Sequence, residues 1–498
     1  MSVNERRKIL VVGSGFSGSL LASILQKHGN DVTLIDKASH PRFAIGESST
    51  PTAGFILKSL IDRYDLQELK PLTRYGLWRE YLSEIGVGVK RGFSYFFHRP
   101  GSQPSVTPTH ESELLVAASR SQETADTHWY RQDVDSLLFN FADRQGVTCW
   151  TPAQITRARF DESTQCWQVQ LNTHKDTLKF HWIIDASGAS EVMCGLISRE
   201  SKDPVELETR TSAVFAHFKN VRRYDHVLLK AGMDVSDFPF SSDDAAQHHV
   251  LQSQWLWNLR FDNGVSSLGL VSDLNRDVER GQWSDMLADY PSIQLMLQEA
   301  EFDEVTPTLR QTGRLQRLAS SAVGPGWVAL PNTIGFVDPL HSTGIAHALS
   351  GVERLAGIFT QNTVCTEALS QYAESVYREL NLIDQLIAGC YKLMPSKRYF
   401  EAYCMLYFVA AHSYETCRME LSSSKQGHQG PGIFLLDDPQ MIELIRTGYH
   451  LASQIAEKQC WDEPELFEQQ IRELIGPFDR IGLCNPDVKS MYGYTAVL

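Results

Sequence analysis

The chain contains no C-x-x-C pair, no H-E-x-x-H run, no Walker loop and no visible internal repeat. Its nine cysteines are scattered at 149, 166, 194, 365, 390, 404, 417, 460 and 484. That spread suggests neither a zinc site nor a secreted disulfide framework, and points to reduced thiols in a cytoplasmic protein. The missing motifs, with the absence of a Ser-His-Asp order, weaken metalloprotease, kinase and hydrolase readings. No apolar run reaches the length of a membrane span and no signal peptide precedes the first expected strand, so a soluble protein is expected, off the membrane. Positive charge is also short: 46 Lys and Arg against 60 Asp and Glu leave a net charge of −14. This argues against nucleic acid and against acidic membranes as partners. At 498 residues, 42% hydrophobic and 21% charged, the chain is long enough for two or three domains with a substantial core.

What the chain does have is concentrated near its start. Ile9-Leu10-Val11-Val12 has the length and β-branching of a buried parallel strand. Gly13-Ser14-Gly15-Phe16-Ser17-Gly18 follows at once, then Leu20, Leu21, Ile24 and Leu25 at helical spacing. Val32-Thr33-Leu34-Ile35 predicts a second strand, ending on Asp36. The glycines permit a tight turn, close backbone approach to a pyrophosphate and close helix–strand packing. The helix start presents unpaired N–H groups to the phosphates, and Asp36 is placed for a ribose hydroxyl. A lone G-x-G-x-x-G is weak, but strand, turn, helix, strand and acid arrive here in order.

Further along, Pro41 and Pro51 bracket a loop holding Arg42 and Gly46-Glu47-Ser48, followed by a helix from Thr52 to Leu60. Arg42 suits a cofactor phosphate, and the small residues after Gly46 allow close approach to a flavin; a plain surface loop reads equally well. Phe93, Tyr95 and Phe97 alternate as a strand beside an aromatic-lined cavity. Lys90 stands at its start between Gly88 and Gly92, and on the residues alone is either solvated or functional. Residues 99–128 read as a mobile excursion rich in Pro, Ser, Thr and His. Strands at 165–172 and 178–185 predict a hairpin whose second member ends Asp185-Ala186-Ser187-Gly188. Residues 210–275 look β-rich, with Asp262-Asn263-Gly264 as a turn. A strand at 326–330 leads to Asn332, Gly335 and Asp338, and a second turn opens a helix from Ala346 to Phe359. The N–H groups of Thr343 and Gly344 at that opening make an anion site. Beyond 360 the pattern is helical and aromatic, with loops at 421–432 and 484–490, and carries no chemical motif.

With these pieces in order the sequence resembles the flavin-dependent halogenases, most nearly the branch acting on free phenols such as the phloroglucinol-type enzyme. The resemblance rests on Gly13–Gly18, Pro41-Arg42-Phe43 with Gly46-Glu47-Ser48, and Gly88-Val89-Lys90-Arg91-Gly92-Phe93. It rests also on Arg131-Gln132-Asp133, Trp255-x-Trp257, and Gly335-Phe336-Val337-Asp338-Pro339-Leu340 with Ser342-Thr343-Gly344. It implies an α/β fold: an FAD-binding Rossmann-like domain of the p-hydroxybenzoate hydroxylase type, assembled from 1–85, 130–200 and 310–360. A β-rich substrate region would take 86–129 and 201–309, and a helical region 361–498. The resemblance places FAD against Gly13, Gly15, Phe16, Ser17, Gly18, Asp36, Lys37, Arg42, Glu47, Ser48, Arg131, Asp185, Gly188, Asn332, Gly335, Asp338 and Ile345. Chloride or bromide would sit at Ser342, Thr343 and Gly344. A separate flavin reductase would supply reduced FAD, and hypohalous acid would travel to Lys90. Phe93, Tyr95, Trp255 and Trp257 would line the cavity for a small electron-rich aromatic. A homodimer is left open.

Two departures stand out. The family's W-x-W-x-I-P ends here in Leu259-Arg260, so Arg260 replaces a proline of the motif thought to separate substrate from flavin. With no obvious acidic partner before it, Arg260 is expected to point outward. His341 stands where tryptophan halogenases carry Glu; it reads as a base near the substrate or as a structural histidine. Three functions therefore compete: a halogenase, an FAD monooxygenase or dehydrogenase on the same scaffold, and a flavoprotein that has lost catalysis.

Overall fold

The computed structural model describes residues 6–197, 207–252, 254–274, 283–423 and 431–495. Most of the expected 421–432 loop lies outside them. Ile9 to Val12 form the buried end of the strand Lys8–Val12, which pairs in parallel with Asp31–Ile35 on one side and Trp182–Asp185 on the other. Trp327–Ala329 and Thr148–Trp150 extend this to a six-stranded sheet with Val323–Gly324 at its edge. The helix Phe16–Lys27 packs on it through Leu20, Leu21, Ile24 and Leu25, all buried. Those positions lie three to four residues apart, so one helix face meets the sheet.

The expected hairpin needs one correction. Its second strand is two: Leu178–Phe180 pairs antiparallel with Cys166–Leu171, and Trp182–Asp185 joins the parallel sheet instead. The switch falls at His181, whose N–H donates to Lys8 O while its Nδ1 accepts from Lys8 N. Continuous apolar character across 178–185 conceals this change of partner.

A nine-stranded sheet forms the second half of the architecture. Gly92–Phe97 pairs with Ala246–Val250 in parallel and with Glu113–Ala117 antiparallel, so segments 86–129 and 201–309 share one sheet. Residues 99–128 are thus no simple excursion: Glu113–Ala117 is buried throughout and Asp126–Trp129 is a second buried strand, paired with Val87–Lys90. Leu114-Leu115-Val116-Ala117, behind the buried Glu113, is a short apolar run hidden between polar flanks. Gln254–Arg260 and Ser266–Asp273 meet around the expected Asp262–Gly264 turn, where Gly264 has φ +82°.

Side chains alternate across this sheet. Phe93, Tyr95, Trp255 and Trp257 face the main core, which includes the long helices Thr366–Leu393 and Lys397–Ser423. Phe96, Leu115, Leu256 and Leu268 face a smaller core against Tyr224–Lys230 and Pro291–Leu297. Among the described residues no helix is long and apolar enough to cross a membrane.

Candidate active site

The glycine turn is built by close contact. Gly13 has φ +110°, and a Cβ on Gly18 would lie 2.0 Å from Gly13 O, so neither position admits a side chain without shifting backbone. Asp36, at the end of the second strand, accepts from Ser14 N at 2.8 Å and Ser14 Oγ at 3.0 Å, holding the turn open-ended over the helix start. Arg42 Nη2 bonds the same carboxylate at 3.0 Å, and Arg42 with three hydrogen bonds keeps it below the usual carboxylate range against the cost of burial. Arg42 is therefore tied to Asp36 as well as available to a phosphate.

Arg131 is a clamp. It grips Asp135 through two bonds of 2.8 and 2.9 Å and donates to Ile45 O and Gly46 O at 3.0 Å, fixing the loop over the glycine turn. Asp135 also accepts from Phe16 N. Glu47 lies beyond, its Oε1 2.7 Å from His217 Nε2 on the neighbouring sheet. Along this same loop His40 Nδ1, Arg42 Nε, Glu47 Oε2, Ser48 Oγ and Thr50 Oγ1 are all buried without a partner. A row of unsatisfied polar atoms beside a dinucleotide turn is costly by itself and fits a bound polar cofactor of FAD's kind.

Other residues expected at the cofactor are placed as follows. Lys37 is exposed on the rim and donates to Ser190 Oγ at 2.9 Å. Ser17 and Ile345 are buried at the starts of their helices. Asp185 accepts from Ser187 N and Met193 N, closing the strand end. Gly188 N donates to Thr333 Oγ1, and Asn332 O accepts from Arg317. Asp338 is fully enclosed: it accepts from Thr211 Oγ1 at 2.7 Å, Leu340 N at 3.0 Å and the Tyr391 hydroxyl at 3.1 Å, and burial pushes it up to about 7.

A small cavity of about 10 Å³ links Asn332, Gly335 and Asp338 with Thr343 and Gly344. The helix Gly344–Phe359 opens on it, and Ser342 just before has φ +54°, a left-handed conformation that costs a non-glycine residue roughly 1 kcal/mol. The turn aims the free amides of the first helical turn, at the positive end of a sixteen-residue helix. A Cβ on Gly344 would meet nothing within 4 Å, so packing is not what keeps this position a glycine.

Lys90 lies at the end of the strand Val87–Lys90 and is completely buried. Its Nζ donates to Ser49 O at 2.6 Å and stands 4.1 Å from the centroid of Phe93. Asp126 is its register partner on the adjoining strand, and Asp126 Oδ2 has no partner of its own. Burial pushes Lys90 down and Asp126 up until both lie at about 7, each opposed by the other's charge. Glu415 approaches from the helix Lys397–Ser423, bonded by Thr52 Oγ1 at 2.9 Å and raised to about 8 by burial, with Asp126 adding repulsion. His128, His248 and His341 surround the lysine; burial, aided by Lys90's charge, lowers each to about 3, so all three are neutral.

The rings expected to line a cavity form one wall. Trp255 stacks near His248 at 5.0 Å, His248 on Tyr95 at 4.5 Å, and Tyr95 beside Phe93 at 6.2 Å. Phe93 meets Tyr407 at 6.1 Å, and Tyr407 stacks on His341 at 4.4 Å with planes 6° apart. The wall thus runs from the Trp255 strand to the residue preceding the Ser342 turn, with Lys90 over its middle. Trp255 Nε1 donates to the Tyr391 hydroxyl, the group that also bonds Asp338. A separate cavity of about 770 Å³, bordered by Arg210, Asp273, Arg314, Tyr391 and Trp461, contains none of the expected site residues.

Arg260 differs from expectation. It lies on the opposite strand face from Trp255 and Trp257, away from the ring wall, yet it is not solvent-directed. Its Nε donates to buried Asp243 at 2.8 Å, and its remaining nitrogens bond Val221 O and Arg222 O. The acidic partner does exist, seventeen residues earlier, inside a Ser-Ser-Asp-Asp stretch that reads as a solvated turn. Sequence reasoning also missed Asp126, hidden in the supposed excursion, and Glu415, one of three acids in an aromatic helix. Asp126 sits among Thr124, Thr127 and His128, and Glu415 among His412, Ser413 and Thr416, so neither acid stands out from its sequence neighbours.

A family profile described as "Tryptophan halogenase" matches residues 119–404, more than half of the chain. The chain belongs to the flavin-dependent halogenase family. A second profile, "FAD dependent oxidoreductase", matches residues 8–227 and so covers the glycine turn, Asp36, Lys90 and Arg131. Among curated members, tetracycline 7-halogenase of Kitasatospora aureofaciens is 28% identical over 364 residues, covering 70% of this chain and 62% of that enzyme. Monodechloroaminopyrrolnitrin halogenase PrnC of Pseudomonas fluorescens is 26% identical over 421 residues, covering 80% and 70%. The chain therefore spans a little under two thirds of the tetracycline enzyme's length. Among solved structures, halogenase PltM in complex with phloroglucinol and FAD superposes with a TM-score of 0.84 at 22% identity, over 98% of this chain and 99% of that one. That halogenase fold is the one described above.

Proposed function

We propose that the protein is an FADH2-dependent halogenase that places chlorine or bromine on a small electron-rich phenol. The observation that carries this reading is Lys90: a fully buried ammonium, fixed by Ser49 O against an aromatic wall that reaches the Ser342-Thr343-Gly344 turn. Gly13, Gly15, Gly18, Asp36, Arg42 and the loop from Glu47 to Thr50 would hold FAD, with Arg131 fixing that loop. When bound there, FAD reduced by a separate reductase would supply, with O2, the two-electron oxidising equivalent. A single dinucleotide fingerprint in the sequence supports an external reductase.

The chain's own residues do the rest. The Thr343 and Gly344 amides hold the halide, desolvated, at a helix start. Lys90 donates a hydrogen bond to the hypohalous acid and orients its halogen toward the ring carbon, while the apolar wall excludes water. Asp126, whose Oδ2 is unengaged, takes the proton that the ring or phenol releases, while Glu415, held protonated by burial, stands near it. His341 has Cys390 for a neighbour and is neutral; it positions Tyr407 through stacking and is not the base. The substrate class rests on the ring wall, on the absence of a cationic clamp at Arg260, and on PltM's phloroglucinol complex. No observation favours the monooxygenase alternative, because Arg260 leaves the Trp255–Trp257 face undisturbed.

The test is turnover with a flavin reductase, chloride or bromide, and a panel of phenols, read by mass spectrometry. A halogen isotope pattern on product is expected. Hydroxylated, halogen-free product would overturn the reading.

A further inference from the structure

We propose that Cys390 and Cys404 form an internal trap for hypohalous acid, closing to a disulfide when no aromatic substrate intercepts the oxidant; this rests on the function proposed above. The two thiols come from neighbouring helices, Thr366–Leu393 and Lys397–Ser423, and their sulfurs lie 3.8 Å apart with neither side chain exposed. His341 Nε2 is 3.4 Å from Cys390 Sγ. The buried Tyr95 hydroxyl has no hydrogen-bond partner, and Cys404, Cys390 and Tyr407 are the groups that bear on it. The pair is thus one ring, His341, from the Ser342 turn and two rings, Tyr95 and Phe93, from Lys90. His341 directly precedes the Ser342 turn, and Tyr407, stacked on His341, touches the Phe93 ring under Lys90.

Buried cysteines are usually inert because reagents cannot reach them. Here the oxidant arises inside the protein, so the burial that excludes external peroxide keeps the pair next to the internal source. The other seven cysteines are partly or fully exposed and belong to the outer surface.

The chemistry balances without a further reagent. One sulfur attacks the halogen of the hypohalous acid: the S–X bond forms, the O–X bond breaks, and hydroxide leaves with the thiol proton, relayed by the neutral His341 ring, as water. The second sulfur attacks the sulfenyl halide: the S–S bond forms, S–X breaks, and halide departs with the second proton. Two electrons pass from the sulfur pair to the halogen, and two thiols plus one hypohalous acid become one disulfide, water and hydrogen halide. Closing from 3.8 Å to a bond of about 2.05 Å asks for rotation of the two side chains on adjacent helices.

The experiment runs the full-length enzyme with FAD, reductase and bromide, with phloroglucinol or without it. Alkylation and peptide mapping then follow the Cys390 and Cys404 peptides. Without the phenol, both free thiols should be lost together and the linked peptide appear. With it, brominated product should form and both thiols survive. Product in the phenol arm with no linked peptide in the other overturns the trap alone. Absence of brominated product overturns the proposed function and the trap with it. The linked peptide in a bromide-free arm would assign the oxidation to peroxide and overturn the proposal, as would stoichiometric zinc or copper in the purified protein, held by His341, Cys390 and Cys404, whose donor atoms lie within 4.8 Å of one another. Cys404→Ser supplies a second readout. It should halogenate the phenol normally but lose activity faster than wild type in phenol-free turnover, beyond rescue by dithiothreitol; equal losses in the two proteins overturn the trap.

Discussion

Replacing Asp126 by Asn should move the basic limb of the halogenation pH profile downward. Lys90 is buried, and desolvation alone would carry its ammonium far below 10.5; the Asp126 carboxylate is the named charge that opposes this and brings it back to about 7. The two residues are register partners on antiparallel strands, which sets their Cα atoms roughly 5 Å apart. Two charges about 6 Å apart at an effective dielectric constant near 20 interact by about 3 kcal/mol, or about 2 pKa units. Asn keeps the shape and removes the charge, so Lys90 loses that support and holds its proton only to lower pH. If the ammonium is the working form, wild-type kcat falls as pH rises through about 7. In Asp126→Asn the same fall should come about 1 to 2 units earlier, with a lower plateau because the proton acceptor is gone. The assay is product formation from pH 5 to 9 with flavin reduction kept saturating. A limb that stays in place refutes the coupling, and a profile with no falling limb above pH 7 refutes the ammonium as the working form, since Asp126, raised to about 7, accounts for a rise by itself.

Four further outcomes follow from the same geometry. Lys90→Met should abolish product while FAD still binds. Because wild-type Lys90 sits below its unfolded pKa of 10.5, wild-type stability rises between about pH 7 and 10.5, so the variant's gain in Tm should be largest below 7 and shrink across that window. Gly18→Ala, with a Cβ 2.0 Å from Gly13 O, should cost about 1–3 kcal/mol and weaken FAD binding in fluorescence titration; unchanged affinity would refute the close-approach argument. Gly344→Ala should leave the melting temperature equal or higher, since alanine favours the helix by up to about 1 kcal/mol, yet raise the halide KM. Arg260→Ala should destabilise by roughly 2–4 kcal/mol through loss of the buried ion pair with Asp243 and of the bonds to Val221 O and Arg222 O, while yielding no hydroxylated product; such product would place Arg260 in the barrier between flavin and substrate.

The dinucleotide unit was legible because its information is local. Gly13, Gly18 and Asp36 fall within one strand–helix–strand and meet by contacts that chain geometry alone nearly enforces. The Ser342 turn was legible for the same reason, as small residues before a long apolar helix. The Glu113–Ala117 strand was not, since four apolar residues behind a glutamate gain strand identity only from partners on both sides. Asp126, Glu415 and the Cys390–Cys404 pair were illegible in a stronger sense. Their chemistry comes from being buried together by elements far apart in the chain, and no spacing records that. Arg260 failed in the opposite direction: Asp243 was in plain view, but its run of polar neighbours looked like surface.

One feature of the large sheet bears on how the molecule is made. Its outermost strand is Met491–Tyr492, which adds in parallel to Glu113–Ala117, and Thr495 bonds Ala117 O across 378 residues of sequence. During synthesis the Glu113–Ala117 strand therefore emerges early and waits with an open edge until Met491 to Thr495 have been made. Unpaired edges of that kind invite pairing with other chains. Closing so long a loop is slow, because the entropy is spent before any contact repays it. A chain lacking Met491 to Thr495 would keep every group assigned to chemistry, and its failure would show as insolubility at the moment of birth.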